Sequence, residues 1–133
     1  MESPEKKTAQ KESFSFKKRL KSFQYAGKGI EYMFRGEHNF RIHVVIALLV
    51  VIAGIWLSIS TTEWLIIIIC FGMVLAAETF NSSIEKLTDI ASPEVKPEAG
   101  LVKDLAAGAV LILAIASAII GLIIFIPKII AII

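Results

Sequence analysis

Trp64 to Asp89 read WLIIIICFGMVLAAETFNSSIEKLTD, an apolar run that turns polar at Glu78 with no proline between. Between Trp64 and Ala77 there is no charged residue, and those 14 positions rise about 21 Å as a helix. The hydrocarbon core of a bilayer is roughly 30 Å thick, so a helix crossing here must carry Glu78 and Asn81 to the membrane boundary. At 100° per residue, Glu78, Asn81, Glu85 and Asp89 fall within an arc of about 80° on one face. Three carboxylates on one face repel each other unless something positive lies among them. Ionisable groups at membrane depth are expensive and mark functional sites. The plainer alternative, solvation beyond the membrane, covers Asp89 and Glu85, but it does not require Glu78 and Asn81 to share a face.

Working outward, two further apolar runs flank this one. Ile42 to Ile59 is interrupted only by His43 and Ser58, and Leu105 to Ile126 has Ser117 as its only polar member, with Pro127 following. With 133 residues and 56% hydrophobic content, the chain has room for one domain and is too apolar for an ordinary soluble one. Its mean hydropathy of +0.72 would force a soluble fold to hide three such runs in a very small core. The expectation is an all-α integral membrane protein with spans over about 40–59, 63–90 and 102–127, in a single domain over 13–133. Cys70 lies in an apolar run and reads as a small buried hydrophobe, because such a setting disfavours the thiolate.

Charge placement sets the expected topology. Of 14 Lys and Arg, ten precede the first apolar run, none lies in 60–63, three (Lys86, Lys96, Lys103) lie between the second and third apolar runs, and Lys128 follows. The positive-inside rule puts the N-terminus and the 86–103 loop in the cytoplasm, with the 60–63 turn and the C-terminus outside. Some 40 residues, rich in charged and aromatic side chains, precede the first apolar run and argue against a cleaved signal peptide.

Residues 1–12 (MESPEKKTAQKE) are polar and without apolar period, the pattern of disorder. From Phe14 onward Phe16, Leu20, Phe23, Ile30 and Phe34 recur at helical steps beside Lys17, Lys18, Lys21 and Lys28. This predicts an amphipathic surface helix over 13–35, aromatic face in the lipid and basic residues toward headgroups. The plainer alternative is a helix packed against the bundle. Gly27 and Gly29 flank Lys28, but no G-x-x-x-x-G-K-[ST] motif is present.

More polar residues gather on the side of the acidic stripe. Glu37 precedes the first span in EHNFR, and Lys103–Asp104 stands at the entrance to the third. Each span therefore presents a carboxylate at the cytoplasmic boundary. Oxygen donors of this kind suit Mg²⁺, which takes one or two carboxylates plus substrate phosphates. No Cys/His spacing suits zinc, and His38 and His43 read as interfacial hydrogen-bonding residues. A carboxylate at the lipid edge can act as general base on a lipid hydroxyl, while Lys103 stabilises a transferring phosphoryl group. Composition and spacing stop at a membrane-boundary, metal-dependent acidic site; a small non-enzymatic cation channel or transporter subunit has use for the same stripe.

ExxNxxIE (Glu78, Asn81, Ile84, Glu85), EHNFR (Glu37, Asn39, Arg41) and KDLAAGAV (Lys103 to Val110) together resemble the bacterial integral-membrane diacylglycerol and undecaprenol kinases, over about residues 17–127. The resemblance implies a homotrimer of three-span subunits in the bacterial cytoplasmic membrane, each with an N-terminal surface helix, and active sites at subunit boundaries on the cytoplasmic face. It implies Mg²⁺-dependent transfer of the γ-phosphoryl group of ATP to a membrane lipid alcohol, with no nucleic acid as partner. Carried over, Glu78 is the base acting on the lipid substrate's hydroxyl, and Glu37 and Glu85 bind the metal with ATP. Asn81, Lys103 and Asp104 belong to the nucleotide site, Tyr25 is an aromatic near the nucleotide, and Glu94 and Lys96 fall in a loop that meets ATP. That loop, SPEVKPEAG, departs from the family pattern, and Lys18/Arg19 align only within one residue. Glu63–Trp64 and GLIIFIPKI look closer to the undecaprenol branch than to the diacylglycerol branch.

Overall fold

A computed structural model describes residues 15–133; the stretch 1–12 expected to be disordered, and Ser13 and Phe14 at the start of the expected surface helix, lie outside the described residues. Four helices follow one another: α1 (Phe16–Gly36), α2 (His38–Trp56), α3 (Thr61–Ala91) and α4 (Pro97–Ile130). No strand occurs among the described residues. α2, α3 and α4 are each long and apolar enough to cross a membrane, so the fold is all-α with three spans. At 1.5 Å per residue α2, 19 residues long, rises about 28 Å and only just crosses a core of roughly 30 Å. α3 and α4, of 31 and 34 residues, rise about 46 and 51 Å and outlast it by several turns.

The chain divides into two compact units, at Glu31. The first contains the N-terminal part of α1. There Phe16, Leu20, Phe23 and Ile30 lie along the helix at helical spacing, and each is at least half exposed. The second unit, from Tyr32 onward, holds the rest of α1 and the three long helices. α3 is its central element, packed along α4 and touching α2 over a shorter stretch.

Local chemistry decides where the helices stop. α1 and α2 are separated by Glu37 alone, in extended backbone at φ −103° and ψ 112°. Phe34 and Phe40 meet edge to face across this break, ring centroids 5.1 Å apart, the geometry aromatic pairs favour. α2 ends in a tight turn that puts Ser58 in the left-handed region, φ 49°, which a residue with a side chain adopts at a small cost. Ser60 then caps α3 reciprocally: its hydroxyl accepts from the Glu63 N–H (3.3 Å) and its own N–H donates to Glu63 Oε2 (2.6 Å), a capping box. Glu63 also reaches Lys128 near the end of α4, 3.1 Å away. α4 opens with Pro97 in its first turn, where a missing N–H leaves no bond unmade. It runs on through Pro127 to Ile130, one turn past the expected end near 127, because a proline whose φ already suits a helix forfeits only one bond in a last turn.

The apolar core lies at this turn end of the bundle: Ile59, Ile67 and Ile124 are buried, with Val50, Leu57, Trp64, Phe71, Ile120 and Phe125 against them. Elsewhere Ile52, Ile68, Ile112 and Ile123 face outward and are more than half exposed. A soluble domain does not leave so many large apolar side chains in water; lipid solvates them without penalty.

Gly54 is the closest approach in this core. A Cβ there would lie 2.8 Å from Trp64 Cη2 and 3.0 Å from Ile59 Cδ1. Gly54→Ala is expected to destabilise by about 1–3 kcal/mol through overpacking, read as a lower thermal midpoint in detergent. Adding Trp64→Leu to that variant is expected to recover most of the loss by removing the ring that the methyl strikes.

Candidate membrane-boundary site

Along α3 one face is buried without interruption. Ile67, Cys70, Val74, Glu78, Asn81 and Ser82 follow at helical steps. The seam begins apolar and becomes polar. Counted from the start of α3, Glu78 is about 26 Å along the helix axis, near the far edge of a 30 Å core. Glu85 and Asp89 lie about 36 and 42 Å along, beyond it. Glu78 retains 3% of its accessible surface. The polar groups within electrostatic reach of its carboxylate are His43, Asn39 and Glu37 from the α2 side and Glu85 from its own helix.

Asn81 donates from Nδ2 to Glu85 Oε1 at 3.0 Å. Its other side-chain atom, Oδ1, is buried and has no hydrogen-bond partner, an arrangement that leaves an acceptor wanting a donor or a cation. Around these residues the hydroxyls of Thr79, Ser83 and Thr88 donate to the carbonyls of Leu75, Thr79 and Ile84 at 2.7–2.8 Å. Back-bonding of this kind hides hydroxyls inside a helix that meets lipid.

Two lysines pair with carboxylates near the buried polar residues. Lys86 Nζ lies 3.0 Å from Glu37 Oε1 and 4.7 Å from the centroid of the Tyr32 ring. Lys103 of α4 pairs with Asp89 of α3, tying the two helices at their loop end. Asp104 is exposed. In the connecting loop Glu94 and Lys96 are 3.6 Å apart and largely exposed, and they border a small cleft with Thr88, Asp89 and Lys103. Tyr25 belongs to the first unit and is 66% exposed.

Among the residues expected from the sequence, the structure groups Glu78, Asn81, Glu85 and Glu37. It gives Lys103 to Asp89, which is outside that expected set. Lys86, Asn39 and His43 are further members. Asn39 stands inside the EHNFR motif that carries Glu37. Lys86 gives no comparable signal: adjacent to Glu85, it is turned 100° off the acidic stripe. Below the polar residues, Ile46, Val50, Ile67, Val74, Leu122 and Phe125 line an apolar groove of about 360 Å³ between α2, α3 and α4.

No group of three or more His, Cys, Asp or Glu is placed to hold a metal among the described residues. The donors that are present, two carboxylates and an unpartnered amide oxygen, are hard oxygen ligands, which fits a Mg²⁺ completed by phosphate oxygens.

This acidic seam at the edge of three apolar spans has counterparts of known kind. Residues 24–125, more than half of the chain, match the family described as prokaryotic diacylglycerol kinase. The chain belongs to this family. It is accordingly a membrane lipid kinase with ATP as co-substrate. An undecaprenol kinase of Bacillus subtilis (strain 168) is 42% identical over 109 residues, 82% of this chain and 89% of that protein. A diacylglycerol kinase of Synechocystis is 33% identical over 113 residues, covering 84% of this chain and 65% of that protein. A diacylglycerol kinase of Helicobacter pylori (strain J99) is 37% identical over 98 residues, 73% of this chain and 76% of that protein.

The Lys103–Asp89 pair is half in water, with side-chain exposures of 36% and 65%. A double-mutant cycle on stability, with Lys103→Met and Asp89→Asn, is expected to give a coupling of no more than about 1 kcal/mol. Denaturation in mixed detergent micelles measures it; a larger coupling would show that the pair fixes the α3–α4 angle rather than decorating it.

Proposed function

We propose that this kinase transfers the γ-phosphoryl group of ATP to the hydroxyl of a polyprenol, undecaprenol in preference to diacylglycerol, at the cytoplasmic face of a bacterial plasma membrane. The observation that carries the reading is the burial of Glu78 on the same face as Asn81, where α3 reaches the membrane edge. A carboxylate there has access both to a lipid hydroxyl held at the interface and to a nucleotide approaching from water. Preference for undecaprenol is supported by the similarity to the Bacillus subtilis undecaprenol kinase over most of both chains and by Glu63–Trp64 and GLIIFIPKI.

In this mechanism Glu78 takes the proton from the lipid hydroxyl as its oxygen forms the new bond to the γ-phosphorus. The bond from that phosphorus to the β,γ-bridging oxygen breaks, and ADP leaves with the bonding electrons. Asn81 and Lys103 orient the phosphates, with Asp104, Tyr25, Glu94 and Lys96 as further nucleotide contacts. Glu37 and Glu85 would hold Mg²⁺, which when bound neutralises phosphate charge. The apolar groove beside Val74 offers the lipid chain a berth against the helix that carries the base.

The reading includes a homotrimer. A single copy has few buried apolar residues and leaves broad apolar faces of all three spans uncovered, and α2 alone contributes little to its own packing. It also places the surface helix of 13–35 on the cytoplasmic leaflet, aromatic residues in lipid.

Purified protein in nanodiscs, supplied with Mg-ATP and either undecaprenol or diacylglycerol, is expected to phosphorylate undecaprenol faster at equal mole fraction. Glu78→Gln is expected to lower kcat by about 10²- to 10⁴-fold, the range for loss of a general base, with ATP binding and elution volume unchanged. Failure to phosphorylate either lipid, by folded protein that binds ATP, would sink the proposal.

A further inference from the structure

Lys86 is a cationic member of the site that the acidic stripe does not contain, and its position is specific. Its ammonium contacts the carboxylate of Glu37 at 3.0 Å, across 49 residues of sequence, and lies over the ring of Tyr32. Glu37 is the single extended residue between α1 and α2, and its side chain is the less exposed of the pair, at 23%. Lys86 lies within α3, and its side chain retains 46% exposure. The flexible partner of this pair is therefore the lysine, with an aromatic face as a second seat for its charge.

We propose that Lys86 is an internal competitor for the Glu37 carboxylate, so that a divalent cation arriving with ATP must displace its ammonium before Glu37 can serve as a ligand. The proposal rests on the reading of Glu37 as a metal ligand. An ammonium hydrogen-bonded to Oε1 occupies the same lone-pair region that a metal would use, and two cations on one carboxylate repel each other strongly at such separations. Displacement makes metal affinity a difference between two interactions. Lys86 so tunes the metal requirement without touching the reacting atoms; it is a positioning residue. The ring of Tyr32 keeps the released ammonium close, ready to return when the cation leaves with product.

The test uses Mn²⁺ binding to the full-length protein in detergent micelles, read by electron paramagnetic resonance in the presence of the non-hydrolysable β,γ-methylene analogue of ATP. Lys86→Met, which keeps the stem and removes the charge, is expected to tighten Mn²⁺ binding about three- to fivefold, the scale of a partly exposed ion pair. Lys86→Arg is expected to bind like the parent. Glu37→Gln is expected to weaken binding, and in that background Lys86→Met is expected to change nothing, because there is no shared carboxylate left to contest. If Glu37→Gln weakens binding but Lys86→Met leaves it unchanged or weaker, the competitor role is wrong while the metal-ligand reading stands. If the tightening persists in Glu37→Gln, Lys86 acts only as a distant positive charge, and displacement is refuted. If Glu37→Gln leaves Mn²⁺ binding intact, the reading of Glu37 fails and this inference fails with it.

Discussion

Everything in this fold answers to the problem of carrying a carboxylate and a carboxamide to the edge of a lipid membrane. A helix satisfies its own backbone and can cross a bilayer with no help. A buried ionisable side chain cannot, and leaving one exposed to hydrocarbon costs several kcal/mol. α3 therefore keeps its polar residues on the one face it buries, continuing the line that Ile67, Cys70 and Val74 begin. α2 must bring Asn39 and His43 near Glu78. The hydroxyls off that face turn back onto the helix's own carbonyls. Length follows from the same demand. A span trimmed to the membrane would end just past Glu78; α3 continues to Ala91, and the extra turns carry Glu85 and Asp89 into water where cations can reach them.

The part of this legible in the residues is the part governed by helical period. Glu78, Asn81, Glu85 and Asp89 share a face on any helix, so spacing alone was enough to group three of them, and the shortness of the Trp64–Ala77 run put the group at a boundary. Period fails for contacts that depend on a second helix's azimuth. Lys86 sits one position along from Glu85 and off the stripe, and only the fold shows that its side chain crosses to Glu37. Lys103 was visible as a cation near the start of α4, yet its choice of Asp89 depends on the loop between α3 and α4, a short stretch with Pro93 and no period. The Ser60–Glu63 capping box is legible in the residues as S-x-x-E ahead of an apolar run.

The two ends of the bundle are built on different physics, and the difference bears on how a kinase of this size works. At the 58–60 turn the contacts are short and leave little freedom: a reciprocal helix cap, a glycine pressed under an indole ring, and Glu63 shared between its cap and Lys128 at roughly a quarter exposure. Small movements there meet close-packed side chains, and interiors of that kind yield in discrete steps rather than smoothly. At the other end the ties between helices are two lysines on long stems, each reaching a carboxylate that water also reaches. Exposed pairs of this sort contribute roughly 1 kcal/mol or less. Such ties can be broken by a ligand that offers an alternative charge. α3 and α4 are joined there by the 92–96 connection, so giving up either contact frees a side chain without parting the helices. Contacts that weak can be exchanged without disturbing the close packing of Ile59, Ile67 and Ile124 at the far end of the bundle.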